Sequence, residues 1–231
     1  MVEISPRNIA LIGVFAALHV VLYVMSFGLW RNWSIYLMPL EGIILGPRAG
    51  LIAALIGSTI ARTVRPTDFW IFGIIAEPLG VVSCGLLVKR QWKPLIIMYV
   101  IMLASYFMHP FGRWLPLWTI LDILIGLILI YPLAKLFRNI SEDDAKHLSL
   151  FVPLLAFIGT VTDSLTRVFL LIPAGFYILF YMTPEVVYLT FVGGAIDSYI
   201  EDILVVIVSS VVTVPILATL RKIVHYEYPI S

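Results

Sequence analysis

Apolar segments long enough to cross a lipid bilayer recur along the whole chain, and they restrict its fold more than any other feature. The 231 residues are 61% hydrophobic and only 13% charged, whereas a soluble domain has about 25% charged residues. A helix needs about 20 apolar residues to cross the hydrocarbon core, where its backbone must satisfy its own hydrogen bonds. We therefore expect an all-α fold, a polytopic membrane helical bundle, in which residues 1–231 form a single transmembrane domain.

We interpret the chain as about eight spans, the second of which is short and joined to the third by the tight turn Gly46-Pro47-Arg48. The sequence Thr-Pro-Glu at 183–185 is typical of a helix N-cap with proline in the first turn, and it predicts a short interfacial helix ahead of the last span. The eight segments are 8–29, 34–46, 49–65, 70–88, 94–111, 116–136, 149–172 and 197–221.

The basic residues predict the orientation of the bundle. With the N-terminus inside, ten of the 15 Lys and Arg residues fall on inner loops and the rest at outer ends. Since short cytoplasmic loops carry the excess of Lys and Arg, we expect a multi-pass protein of the cell membrane with both termini cytoplasmic. An even number of spans is required for this arrangement.

Composition also argues against several function classes. The net charge of +1 gives no basis for binding nucleic acid, and a single cysteine, Cys84, excludes internal disulfides and CxxC metal or redox motifs. We therefore expect no metal and no cofactor. We also expect the protein not to be an enzyme, because no HExxH motif and no carboxylate-rich repeat on one helix is present, and Ser58, Ser83 and Ser164 have no nearby histidine.

The ionisable residues inside the predicted spans gather in their outer halves. Glu41 and Glu77 each lie seven residues from an outer end, about 10 Å deep at helical rise, and His19 is the comparable polar group nearest mid-membrane. A charge at the bilayer centre costs at least about 2.5–3.5 kcal/mol, so such a set implies pairing or a water-filled cavity open on one side. The other members of the set are Arg62, Asp122, Asp163, Arg167, Glu201 and Asp202.

We predict a substrate site at the outer ends of the spans. Several of its residues could instead have a purely structural role. Asp163 and Arg167 are also spaced as a helical ion pair, and the aromatic residues are also typical of an interfacial belt. A pocket that stacks a planar solute beside polar groups would use both sets. The predicted substrate-binding residues are Glu41, Glu77, Arg62, Asp163, Arg167, Glu201, Trp33, Trp70 and His109.

Small residues line one face of the first span and predict a close helix contact. This contact could be made within the chain or with a partner protein. The residues are Ala10, Gly13, Ala16 and Ala17.

Several segments resemble the substrate-binding S component of energy-coupling factor (ECF) vitamin transporters. After an alanine-rich first helix, the stretch YLMPLEGIILGPRAGLIAALIGSTIAR (36–62) is similar to a short helix that ends in a GP(R/K)xG-type turn. FGIIAEPLGVVSCGLLVKR (72–90) and FIGTVTDSLTRVFLL (157–171) resemble later helices of that family. The resemblance covers most of 8–90 and 150–222, so that 94–137 would add two helices to an S-component-like core of six.

This resemblance implies a function in uptake. An S component binds a micronutrient in a pocket open to the outside. It pairs with a T component within the membrane lipid and with two cytoplasmic ATPase subunits. The small face Ala10, Gly13, Ala16 and Ala17 would contact the T component. The chain has no P-loop motif, so ATP would be hydrolysed by a partner. Mixed charges at the site suggest a zwitterionic or polar heterocyclic solute.

Three alternatives remain open on sequence grounds. A stand-alone secondary transporter would need a coupling-ion site near the midplane and inverted repeats. A membrane enzyme acting on a lipid or a phosphorylated substrate would need a metal or a nucleophile. A purely structural subunit would leave the outer charges unexplained.

Overall fold

The described part of the chain is built from helices. The computed structural model describes residues 6–26, 32–138 and 145–224, and within these ranges it contains no β-strand. Two 3-10 turns, Trp33–Leu37 and Leu117–Ile120, precede α2 and α6. The α-helices are α1 Pro6–Val24, α2 Met38–Val64, α3 Trp70–Val88, α4 Trp92–Met108, α5 Pro110–Trp114, α6 Leu121–Arg138, α7 Ala145–Leu171, α8 Phe176–Leu179 and α9 Pro184–Val224.

The helical lengths confirm the all-α membrane fold but not the count of eight spans. Six helical segments of the described residues are long and apolar enough to cross a bilayer, which makes the chain a multi-pass membrane protein. They lie in α1, α2 with its preceding turn, α3, α6 with its preceding turn, α7 and α9. The count differs because the second and third predicted spans are counted together as the single segment Trp33–Val64, which bends at Gly46, and because α4 has only 17 residues. The predicted cytoplasmic termini and residues 27–29 of the first predicted span lie outside the described residues.

Two predicted boundaries are corrected by local backbone geometry. The segment 94–111 ends early, because His109 is extended and Pro110 begins the separate helix α5. The expected short interfacial helix ahead of 197–221 is wrong, because α9 runs without a break over 41 residues. Its beginning agrees with the sequence motif, since the Thr183 hydroxyl accepts the Val186 N–H at 3.4 Å.

Helix α2 is divided by a bend at Gly46. This residue has φ 73° and ψ −177°, a backbone conformation that is essentially restricted to glycine. Pro47 follows and cannot donate the hydrogen bond that would continue the helix. The predicted tight turn between 34–46 and 49–65 therefore coincides with this bend.

The two arms of α2, 38–45 and 47–64, lie against each other. A Cβ built at Gly50 would be 3.8 Å from the Glu41 carbonyl oxygen, although nine residues of straight helix span about 13.5 Å. The element is therefore a hairpin whose tip is Gly46.

Both ends of this hairpin lie at one end of the bundle. The Trp33 backbone N–H donates to the Ser26 hydroxyl at 2.7 Å, and the Tyr23 hydroxyl donates to the Arg65 carbonyl at 3.3 Å. The tip packs at the opposite end, against Gly85 near the end of α3. We call these the Tyr23 end and the Gly85 end of the bundle.

Substituting alanine at Gly46 is expected to lower the free energy of unfolding by about 1–3 kcal/mol, because an L-residue is strained at this backbone conformation. The measurement is chemical unfolding of the purified protein in mixed micelles. Gly193→Ala is the control, because a Cβ at that helical position meets no atom within 4 Å. Equal stability of the two variants would contradict the hairpin geometry at Gly46.

Helices α3 and α7 form the centre of the bundle. In their apolar windows 67% and 72% of residues are buried, compared with 22% in both α1 and α9. Helix α3 packs against α2 and α7, while α7 also contacts α4, α6 and α9. Helix α1 packs on α2 at the periphery. Polar side chains on α3 and α7 are therefore placed where water has least access.

Candidate functional site

The carboxylate of Glu77 on α3 is the centre of a buried polar network. Its side chain is fully buried. Arg62 Nη1 donates to Oε2 at 3.2 Å and Nη2 donates to Oε1. Asn32 Nδ2 donates to Oε1 at 2.9 Å, and His19 Nε2 lies 2.9 Å from Oε2. Several polar groups thus stabilise one carboxylate, as burial of a charge requires.

Arg62 reaches Glu77 because a glycine faces it on α3. A Cβ at Gly73 would collide with the guanidinium. The guanidinium also lies 4.9 Å from the Tyr23 ring centroid, and Nη1 is 3.3 Å from the Ser58 carbonyl oxygen. The arginine is therefore held on several sides and packs as part of the core.

Glu41 approaches the same network from the first arm of α2. Its side chain is fully buried, and neither carboxylate oxygen has a hydrogen-bond partner among the described residues. Its Oε1 lies 3.8 Å from His19 Nδ1. The structure thus brings Glu41 and Glu77 to opposite nitrogens of one imidazole. We call His19, Glu41, Arg62 and Glu77 the polar cluster.

Asp163 and Arg167 form an ion pair on α7. Arg167 Nε donates to Asp163 Oδ2 at 2.5 Å and Nη2 donates to Oδ1 at 3.1 Å, the spacing expected for neighbours on one helix face. Arg167 Nη2 also lies 3.7 Å from Glu77 Oε1. The pair is therefore both a local helical contact and an extension of the polar cluster.

A cavity of about 260 Å³ opens beside this arginine at the Tyr23 end of the bundle. It lies between the beginnings of α3 and α6, the end of α7 and the first half of α9. Phe69, Phe72 and Phe191 supply aromatic surface. The polar lining residues are Asp68, Thr119, Asp122, Ser164, Arg167, Thr190 and Ser198.

Asp122 is one of the cavity residues that the predicted site omitted, and it and Arg167 supply opposite charges to the wall. Its Oδ2 accepts from the Ser198 hydroxyl at 3.2 Å, and that hydroxyl is 2.9 Å from Ser164 Oγ. Its Oδ1 is buried without a hydrogen-bond partner in the described part of the chain. The sequence signal was present, since LDIL places this aspartate among apolar residues as in the case of Glu77.

Of the nine predicted substrate residues, all of them within the described ranges, Arg167 alone lines the cavity. Trp70 is 50% exposed on the outside of α3. The His109 Nδ1 accepts the Phe111 N–H at 3.2 Å and so caps α5. Trp33 lies at the start of the turn before α2. Glu201 is buried on α9, within electrostatic range of Arg167.

The four residues of the small-residue face of α1 differ in their exposure. Ala10, Gly13 and Ala17 are exposed, and a Cβ at Gly13 would meet no atom within 4 Å. Ala16 is buried instead, because its carbonyl oxygen packs 3.0 Å from a Cβ built at Gly57. Ala16 therefore packs within the chain, and the other three leave a surface open to lipid or a partner.

No protein-family model matches the chain, and no solved structure matches it significantly. The resemblance to S components therefore depends on the quoted residues alone. Within the described ranges, no group of three or more His, Cys, Asp and Glu residues is arranged to hold a metal ion.

Proposed function

We propose that this protein captures a small solute in the cavity at the Tyr23 end, as the substrate-binding subunit of a micronutrient uptake system. The observation that carries the proposal is the composition of the cavity wall, where Asp122 and Arg167 face the same space as several phenylalanine rings. Small-molecule sites combine apolar walls with a few convergent polar groups in this way.

The wall chemistry favours a solute with an aromatic or heterocyclic body and polar groups of both signs. Phe72 and Phe191 offer ring surfaces, on which planar solutes pack with favourable geometry. Asp122 supplies a carboxylate to the cavity wall, and Arg167 supplies a guanidinium. A zwitterionic or polar heterocyclic vitamin-like compound has both complements.

In this proposal, partner proteins supply the energy for uptake by hydrolysing ATP. The resemblance of 36–62, 72–90 and 157–171 to S components implies a T component and two cytoplasmic ATPases, and this chain has no P-loop motif of its own. The exposed residues Ala10 and Gly13 on α1 offer a surface of the kind that permits close helix approach.

Binding of radiolabelled vitamins to the purified protein in lipid nanodiscs tests the proposal. Asp122→Asn is expected to weaken binding about 10- to 100-fold, because a hydrogen bond to a charged group contributes about 1.5–3 kcal/mol. The matched control is Asp197→Asn, since Asp197 is exposed on α9 and does not line the cavity.

A second pair of variants tests whether the solute occupies the cavity, by placing a larger side chain inside it or outside it. Gly194 lines the cavity and Gly193 does not, while a Cβ at either position meets no atom within 4 Å. Gly194→Leu is expected to abolish binding and Gly193→Leu to preserve it. A vitamin that binds equally to both leucine variants, or a panel in which no vitamin binds the unmodified protein, would overturn the proposal.

A stand-alone secondary transporter is the second candidate, favoured by the contact between His19 and the buried Glu41. Buried ionisable pairs in membrane proteins commonly mark proton pathways. Solute uptake by proteoliposomes that contain this chain without ATPase subunits would select this candidate over the first.

A further inference from the structure

Glu41 is buried in surroundings that do not stabilise a negative charge. Its side chain has no measurable exposure, and both oxygens lack hydrogen-bond partners in the described ranges. No Lys or Arg nitrogen of those ranges lies within ion-pair distance of it, and its one ion-pair contact is His19 Nδ1 at 3.8 Å. An ionised carboxylate placed so costs several kcal/mol unless it gains a partner charge or a proton.

The contact between His19 and Glu77, on the side of the ring away from Glu41, sets the tautomer of His19. Its Nε2 lies 2.9 Å from Glu77 Oε2, and Arg62 holds Glu77 as a carboxylate. A carboxylate only accepts hydrogen bonds, so Nε2 must carry a hydrogen. Without a second proton, Nδ1 would present a lone pair to Glu41, and two acceptors would face each other.

We propose that His19 and Glu41 form a proton-binding site that holds one proton between Nδ1 and the carboxyl group. The proton resides either on Glu41, which then donates to the neutral imidazole, or on Nδ1, which then forms an imidazolium beside a carboxylate. Both forms leave the pair with no net charge, and both convert the acceptor–acceptor contact into an attractive one.

The other ionisable groups around this site have partners of their own. Glu77 is paired with Arg62, and Asp163 with Arg167. The Cys84 thiol donates to the Leu155 carbonyl at 3.5 Å. Glu77 and Cys84 lie within electrostatic range of Glu41. Arg62 and Arg167 reach the site through Glu77. The titratable groups beside these two arginines are Tyr23, Asp163 and Glu201.

The proton site is connected to the cavity by two contacts. Glu77 touches His19 on one side, and its Oε1 lies 3.7 Å from Arg167 Nη2, which lines the cavity. A charge change on the His19–Glu41 pair therefore alters the field at the arginine that faces the solute. The coupling to solute rests on the proposed function, whereas the proton site does not.

Nitrogen-15 NMR of His19 tests the proton site directly, in the full-length protein in nanodiscs at neutral pH. The chain has four histidines, so replacing His109, His147 and His225 with glutamine leaves a single imidazole signal. We expect either an imidazolium or a neutral ring whose Nδ1 accepts a hydrogen bond from protonated Glu41, which requires the 3.8 Å contact to shorten. A neutral ring with a free Nδ1 would overturn the proposal.

Glu41→Gln identifies the carboxyl group that shares the proton. This variant is expected to convert an imidazolium signal to a neutral one, or to remove a carboxylic-acid C=O band from the infrared spectrum, a loss of one bound proton per protein. Glu185→Gln, at an exposed carboxylate on α9, should change neither. If both variants leave the His19 signal and the infrared band unchanged, Glu41 is not part of a proton site.

The link to the cavity is tested by Arg167→Gln, which is expected to shift the His19 resonances although it does not touch the imidazole. Unchanged resonances would remove the link and leave the proton site in place. Neither readout requires a solute, so a failure of the vitamin-binding experiment is distinguishable from a failure of this inference.

Discussion

Replacing Glu77 with glutamine is expected to lower the free energy of unfolding by about 3–5 kcal/mol, the usual cost of removing one partner of a buried ion pair. Arg62 is 6% exposed, so its guanidinium would remain buried without its counter-charge. His19 and Asn32 would also each face an amide in place of a carboxylate. Denaturant unfolding in mixed micelles, followed by tryptophan fluorescence, measures the change.

Two further variants separate charge from packing in this experiment. Glu185→Gln removes a carboxylate that is exposed on α9 and should stay within about 0.5 kcal/mol of the unmodified protein. The double variant Arg62→Met/Glu77→Met should recover much of the loss, because no unpaired charge is left behind. If Glu77→Gln is as stable as Glu185→Gln, the polar cluster does not hold α1, α2 and α3 together.

Substituting valine at Gly85 is expected to cost about 3 kcal/mol or more, through overpacking that the neighbours cannot relieve. A Cβ at this position would lie 2.5 Å from the Pro47 nitrogen and 2.7 Å from the Gly46 carbonyl carbon. Both atoms belong to the backbone at the tip of the α2 hairpin, so no side-chain rotation makes room. The whole tip must move away from α3.

The matched control is Gly13→Val, since a Cβ at Gly13 on the open face of α1 meets no atom within 4 Å. Unfolding in mixed micelles measures both variants. We expect Gly13→Val to be as stable as the unmodified protein and Gly85→Val to unfold at lower denaturant concentration. Similar midpoints for the two would mean that the hairpin tip does not pack against α3.

The sequence was sufficient to predict the helical membrane fold and the turn at Gly46, because both depend on local properties. Hydrocarbon thickness fixes the length of an apolar helix, and Gly-Pro interrupts one. The continuity of α9 was missed, because Thr-Pro-Glu at 183–185 predicts a helix start well before the apolar segment 197–221. Packing of α9 on α7 and on the turn Leu117–Ile120 joins the two into one helix.

Depth along a helix could be counted from sequence, but direction around the helix could not. Counting residues from the outer ends put Glu41 and Glu77 at similar depth, and the structure brings both to one imidazole. His19 was noted for its depth and not selected, because nothing local shows that its ring lies between them. The cavity was missed for a similar reason, since Asp122 and Arg167 meet the same space only once α6 and α7 are packed.

The length of α9 determines what surrounds the mouth of the cavity. Counted back from Leu220, a hydrocarbon core of about 30 Å accommodates about 20 residues of upright helix, or about 26 at a tilt of 40°. From Leu220 back to Pro184, α9 extends for 37 residues. With Leu220 at one edge of the hydrocarbon core, its first turns, with Thr190 and Phe191, are expected to lie beyond the lipid tails at the other edge. Solutes that do not dissolve in oil can reach the mouth there.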